Sequence, residues 1–172
     1  RAKIEKVLLG SSLDHRTRPS LARVDIHMLI TECAEAFQLK VRERDGLIQL
    51  DLEAGGAFIL GDRDLLTQAI NNVIDNAEKY SLERPHILVK TRETRNGIEV
   101  DIRDNGIGIP HKMQKRVFEK FFRVQNGDVH NVKGFGLGLD FVKAVVQAHR
   151  GSVSLVSEVN EGTEVKIILP KR

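Results

Sequence analysis

Two pairs of alternating segments constrain this chain more than anything else in it. The first pair is HILVKT, residues 86–91, and IEVDIRD, residues 98–104, joined through RNG at 95–97. A period of two puts alternate side chains on opposite faces of a strand, and Asn-Gly between two such runs favours a tight hairpin. SVSLVSE and TEVKIILP repeat the arrangement near the C-terminus. Consecutive hairpins imply antiparallel pairing, which fits an α+β chain better than a doubly wound parallel sheet. In the first pair Ile98, Val100 and Ile102 share a face, and Asp104 is next in their register. A carboxylate therefore stands where the pattern requires an apolar group.

Helical periods fill the intervals. From Val24 to about Arg44, Ile26, Leu29, Ile30, Cys33 and Phe37 follow i, i+3, i+4, i+7, i+11, an amphipathic helix closed by Asp45-Gly46. LIQLDL and AFIL follow as short strands separated by EAGG. GDRDLLTQAINNVIDNAEKYS is a helix opened by an acidic cap and first turn. Residues 111–123 are expected as a short helix and residues 124–138 as a Gly-rich, polar stretch. FGLGLDFVKAVVQAHR resumes helix until Gly151. Residues 1–20 are expected to be a helix end and linker, stopped by Pro19, with the main domain over 21–172. Because the chain opens on Arg1, a fragment of a larger protein is expected.

A length of 172 residues with 41% hydrophobic content suits one domain. No apolar run approaches the roughly 20 residues a bilayer demands, so no membrane contact by this fragment is expected. Cys33 is the single cysteine and lies on an apolar stripe, which reads as a buried thiol. The 27 basic and 24 acidic residues nearly balance, without a basic run interleaved with aromatics. Nucleic acid is therefore not an expected partner.

Three places hold residues with chemistry to offer. On the helix from Asp64 to Lys79, Gln68, Asn72, Asn76 and Lys79 fall in a narrow arc beside the apolar stripe. Asn is a poor helix former, so two at i, i+4 beside a Lys are open to two readings. One is a site for a hard cation and phosphates, and the other is a solvated polar face. At Asp104-Asn105-Gly106 the carboxylate can accept from an amino group such as adenine N6-H2, with Gly106 and Gly108 allowing close approach of a flat ring. An ordinary Asp-Asn-Gly turn is equally open there. Gly134, Gly136 and Gly138 precede a helix start, a place where backbone N–H groups meet anions. Their spacing is not that of the dinucleotide fingerprint, and no P-loop motif occurs.

Taken together and in this order, the three segments resemble the catalytic, ATP-binding domain of sensor histidine kinases, in the gyrase/Hsp90/histidine kinase/MutL superfamily. NNVIDNAEKYS resembles the N box, DNGIG the G1 box, FEKFFRV the F box, GFGLGL the G2 box and EGTEV the short G3 element. The likeness runs from about Asp25 to Pro170. It implies a two-layer α/β sandwich (the Bergerat fold), with a mixed, mostly antiparallel sheet covered by helices on one face. It also implies an ATP lid over about 109–135.

The resemblance further implies ATP and Mg²⁺ as cofactors. Asp104 would take the adenine amino group, with Gly106, Ile107, Gly108 and Ile109 around the purine and Thr163 supporting that end. Asn76 would ligate Mg²⁺, while Lys79 and Tyr80 would approach phosphates or ribose. Lys133, Gly134, Phe135, Gly136, Leu137, Gly138 and Leu139 would close on the triphosphate. Phe121, with Phe118 and Phe122, would anchor the lid. Phe135 stands where the family usually has Thr or Ser, which removes a hydroxyl. Asn72 stands where ATPase members carry a Glu, and an amide is a poor base, so slow hydrolysis and transfer to a histidine are implied.

Asn72, Asn76 and Lys79 are accordingly the candidate catalytic residues of a protein-histidine kinase. The acceptor histidine is expected on a dimerisation domain outside this chain, with a response regulator as the next partner. His15 in DHRTRPSL only faintly resembles the acceptor motif and is expected to be a linker residue. The expected location is cytoplasmic, whether or not the full-length protein is membrane-anchored. Two alternatives stay open: a Ser/Thr kinase of the anti-sigma type, and a nucleotide-binding module without phosphotransfer.

Overall fold

The computed structural model describes residues 19–53, 55–119 and 138–171. Strand β1 (Ala22–Asp25) leads into helix α1 (Ile26–Arg42), then β2 (Leu47–Leu52) and β3 (Phe58–Gly61). Helix α2 (Arg63–Lys79), the hairpin β4 (His86–Thr94) and β5 (Gly97–Arg103), helix α3 (Leu139–Ala148) and the hairpin β6 (Ser152–Glu158) and β7 (Gly162–Leu169) complete the order. One sheet runs β2-β4-β5-β7-β6, with β2 parallel to β4 and every other pair antiparallel. A second, two-stranded sheet pairs β1 with β3. This is the expected α+β sandwich with a mixed, mostly antiparallel sheet.

The inner face of the sheet is apolar and shut. Ile87, Val89, Ile98, Val100, Ile102, Ile167 and Leu169 are all at most 1% exposed. Leu29, Ile30 and Cys33 of α1, Ile70, Val73 and Ile74 of α2, and Val142, Val145 and Val146 of α3 cover them. Burial pushes the Cys33 thiol up to about 12, so it is the inert core thiol its position on the stripe implied. The outer face neutralises itself: Asp51, Lys90, Asp101 and Lys166 are cross-strand neighbours in that order. Burial alone would raise the Glu99 carboxyl, but hydrogen bonds from Arg92 and Lys166 hold it below the usual carboxylate range.

Local expectations differ from the structure in three places. Val24 belongs to β1 rather than to the first helix, which starts at Ile26 after the Asp25 cap. A single inward valine satisfies either period, so the pattern could not place it. LIQLDL and AFIL are the expected short strands, and the fold supplies their partners: β2 joins β4 and β3 joins β1. The hairpin loop is Arg95–Asn96, with Thr94 opposite Gly97. Gly97 has φ +131° and a Cβ there would lie 2.1 Å from the Leu169 carbonyl oxygen, so glycine is needed for strand approach. Of the expected helix at 111–123, residues 120–123 lie outside the described residues, and the described part is a 3-10 helix, His111–Met113, extended by i to i+3 bonds at Arg116 and Glu119.

Among the described residues no helix is long and apolar enough to cross a membrane. Ile87 is 0% exposed on the inner face. Ile87→Ala is expected to cost about 3–4 kcal/mol, read as a lowered urea midpoint at unchanged slope. A loss below about 1 kcal/mol would contradict this packing.

Candidate functional site

Helix α2 supplies one wall. Asp62 caps it by accepting from Leu65 N–H at 3.1 Å, and its apolar stripe turns the Asn/Lys arc to the margin of the core. Asn72 is only 3% exposed. Its Nδ2 donates to the Gly138 carbonyl at 3.0 Å, at the N-cap of α3. The asparagine helix and the end of the glycine run are thus joined directly, and Leu139 follows buried. Asn76 sits one turn on and half-buried, with its backbone carbonyl receiving Tyr80 N–H. Lys79 Nζ lies 2.7 Å from Asp75 Oδ2, a charge contact off the hydrogen-bond axis. Asp75 itself is 1% exposed, and Lys40 Nζ of α1 stands 3.9 Å from its other oxygen.

The end of β5 supplies the second wall. Asp104 continues the inward register beyond Ile102, as expected. Its N–H donates to the Thr163 carbonyl at 2.8 Å. Its Oδ1 accepts from Gly106 N–H at 2.8 Å and Thr163 N–H at 3.1 Å. Oδ2 receives no hydrogen bond among the described residues. Burial pushes the Asp104 carboxyl up to about 6, although both backbone N–H bonds act the other way.

The glycines answer a constraint the sequence did not disclose. A Cβ on Gly106 would meet the Tyr80 carbonyl at 2.6 Å and Asp104 Oδ1 at 2.9 Å. Gly108 has φ +72°, and its Cβ would lie 2.0 Å from the Glu158 carbonyl oxygen. The close approach they permit is therefore to the chain itself: the turn is threaded between the end of α2 and the β6–β7 hairpin. Ile107 N–H donates to the Tyr80 carbonyl at 2.9 Å, and Ile107 accepts from Asn160 N–H at 2.8 Å.

Several contributors were not foreseen. Ser157 Oγ accepts from Ile109 N–H at 2.8 Å and lies 2.7 Å from Thr163 Oγ1. Gln114 Nε2 donates to the Ile109 and Ser157 carbonyls at 3.0 and 2.7 Å. Asn105 ties the turn to the start of β4 through His86 N–H and the Arg84 carbonyl. Ser157 reads in sequence as an ordinary polar strand position, and nothing in a one-dimensional pattern marks it.

The structure therefore brings Asn72, Asn76, Lys79, Tyr80, Asp104, Gly106, Ile107, Gly108, Ile109 and Thr163 onto two adjoining walls, with Gly138 bonded to the first and Leu139 next to it in the chain. Phe121, Lys133, Gly134, Phe135, Gly136 and Leu137 lie outside the described residues, as do Phe122 and His15. Phe118 is half-buried against the core. His27 bonds Thr91 and His149 bonds Val145 and Asp62, so both are packing residues.

Because Asp104 titrates higher in the fold than in a free chain, the fold favours its protonated form. The stability this supplies is present below about pH 4 and lost as pH rises to about 6. Asp104→Asn keeps an oxygen for the two amides and removes the buried charge. It is expected to unfold at higher urea than the parent at pH 7.5, by about 1–3 kcal/mol, with the gain vanishing near pH 4. A pH-independent difference would contradict a buried, charged Asp104.

A model of the family described as histidine kinase-, DNA gyrase B- and HSP90-like ATPase matches residues 61–172. The sensor protein RprX of Bacteroides fragilis is 40% identical over 173 residues, covering 99% of this chain and 33% of that protein. Among solved structures, full-length ShkA in complex with AMPPNP superposes with a TM-score of 0.83 at 27% identity, over 98% of this chain and 35% of the other. The catalytic domain of histidine kinase ThkA does so at 0.77 and 20% identity, over 88% and 96%, a likeness of fold. The chain thus spans about a third of the length of RprX. It belongs to the histidine kinase-, DNA gyrase B- and HSP90-like ATPase family, and within it is similar to part of the sensor kinases named above.

Proposed function

We propose that the two walls bind ATP with Mg²⁺ and present its γ-phosphoryl group to a histidine on a dimerisation domain outside this chain. From there it would pass to a response regulator. The observation that carries the reading is Asp104. Its Oδ1 is committed to two backbone N–H groups, so the carboxylate is held rigid with Oδ2 left to accept from an adenine amino group. Thr163, Ser157 and the glycine turn hold that end, while Ile107 and Ile109 offer apolar surface to a purine.

Asn76 presents an amide oxygen one turn from Lys79, a hard donor of the kind Mg²⁺ accepts. When bound, the metal would neutralise charge developing on the transferred group. Lys79 would meet phosphate oxygens as a point charge. Asn72 supports transfer over hydrolysis: its amide is buried, already donates to Gly138 and has no basic atom to accept a proton from water.

Calorimetric titration with ADP·Mg²⁺ is expected to show one site per chain, and no heat at millimolar nucleotide would overturn the reading. Asp104→Asn is expected to bind ADP about 10- to 100-fold more weakly, because a donor then faces the adenine N–H. The same substitution thus strengthens the fold and weakens the ligand. Labelled ATP offered with a separate dimerisation-helix fragment is expected to phosphorylate a histidine of that fragment. Phosphoserine on an anti-anti-sigma protein would favour the anti-sigma alternative, and nucleotide binding without any transfer would favour the binding module.

A further inference from the structure

Arg44 lies in the turn after α1, away from both walls, yet it makes a concentrated set of bonds. Its Nη1 donates to the Glu78 carbonyl at 2.6 Å and to Glu78 Oε1 at 2.9 Å. Its Nη2 donates to the carbonyls of Ser81 at 2.8 Å and Leu82 at 3.3 Å. One planar guanidinium thus holds three backbone carbonyls where α2 ends, and a buried carboxylate keeps it there. Lys40 Nζ, 3.4 Å from Glu78 Oε2, supports the same carboxylate, whose side chain is 6% exposed.

The held segment, residues 78–82, is also part of the candidate site. Lys79 and Tyr80 belong to it. The Tyr80 carbonyl, lying between the carbonyls Arg44 holds, accepts from Ile107 N–H. The same oxygen would be 2.6 Å from a Cβ on Gly106. The Ile107–Tyr80 hydrogen bond and this close approach couple the end of α2 to the Asp104–Ile109 turn, so a displacement of one is passed to the other. We propose that Arg44, locked by Glu78, is a positioning residue for the nucleotide site: it fixes the α2 terminus that carries Lys79 and Tyr80 and against which the purine wall is set. The inference rests on the ATP reading above. Neither residue stands out in the sequence, and a helix end tied off for stability alone would need no effect on ligand.

Arg44→Met keeps the apolar stem and removes the fork, and Arg44→Lys restores charge without it. Affinity for ADP·Mg²⁺ is measured by calorimetry well below the unfolding midpoint, together with amide exchange at Ile107 and, as a core reference, Val100. Arg44→Met is expected to weaken ADP about tenfold and speed Ile107 exchange while Val100 is unchanged, with Arg44→Lys between. Parent-like affinity in Arg44→Met, even with a lowered midpoint, overturns the proposal and leaves Arg44 a stability residue. Should Arg44→Met not fold, Glu78→Gln serves: about threefold weaker ADP supports the proposal and unchanged affinity overturns it. If the parent itself binds no ADP, the ATP reading falls and takes this inference with it. If the parent binds and the variants match it, only this inference falls.

Discussion

Strand β5 is paired on both edges, with β4 on one side and β7 on the other, and its inner residues Ile98, Val100 and Ile102 are sealed under the helices. A slip of one residue would drive Glu99, Asp101 and Arg103 into that core, so the register cannot drift. Everything at its C-terminal end inherits that certainty. Asp104 stands at the rim of the core because it is the next inward position. Thr163 meets it because Arg103 is already opposite Glu164. The location of the carboxylate is a consequence of sheet pairing, fixed before any ligand is considered.

That location is costly. A carboxyl displaced to about 6 sits where burial disfavours its charge, and the two amides on Oδ1 offset only part of the penalty. Natural proteins keep such groups where recognition needs them. The turn beyond it is similarly constrained, with Gly108 at positive φ and both glycines pressed against neighbouring carbonyls. The result is a rigid wall rather than a pliable loop, which suits a flat, uncharged ring better than a triphosphate.

Helix α2 resolves the opposite demand, that of keeping charge close to a core. Asp75 and Glu78 are 1% and 4% exposed, and neither would be tolerated alone. Lys40 and Arg44, one turn apart near the end of α1, face them, and Lys79 adds a third cation. The network carries one more positive than negative charge, and Lys79 is its member on the candidate phosphate side. An excess of that sign at that place suits an anionic ligand.

By itself, the sequence determined the α+β class, the two hairpins, the inward faces of β5 and α2, and the order of the Asn/Lys helix, the Asp-Gly turn and the glycine-led helix. All of these follow from local periodicity and short-range turn chemistry, which need no knowledge of neighbours. Only the tertiary structure decided that β2 runs parallel to β4 and that β1 takes β3, since pairing partners are chosen by the whole sheet. It also decided why Gly106 and Gly108 must be glycine, because the clashing carbonyls of Tyr80 and Glu158 come from remote segments. Asn72 bonding Gly138, Ser157 holding Ile109 and Arg44 gripping residues 78–82 are contacts across 66, 48 and 34 to 38 positions. No period in a sequence extends that far; such contacts exist only once the layers have packed.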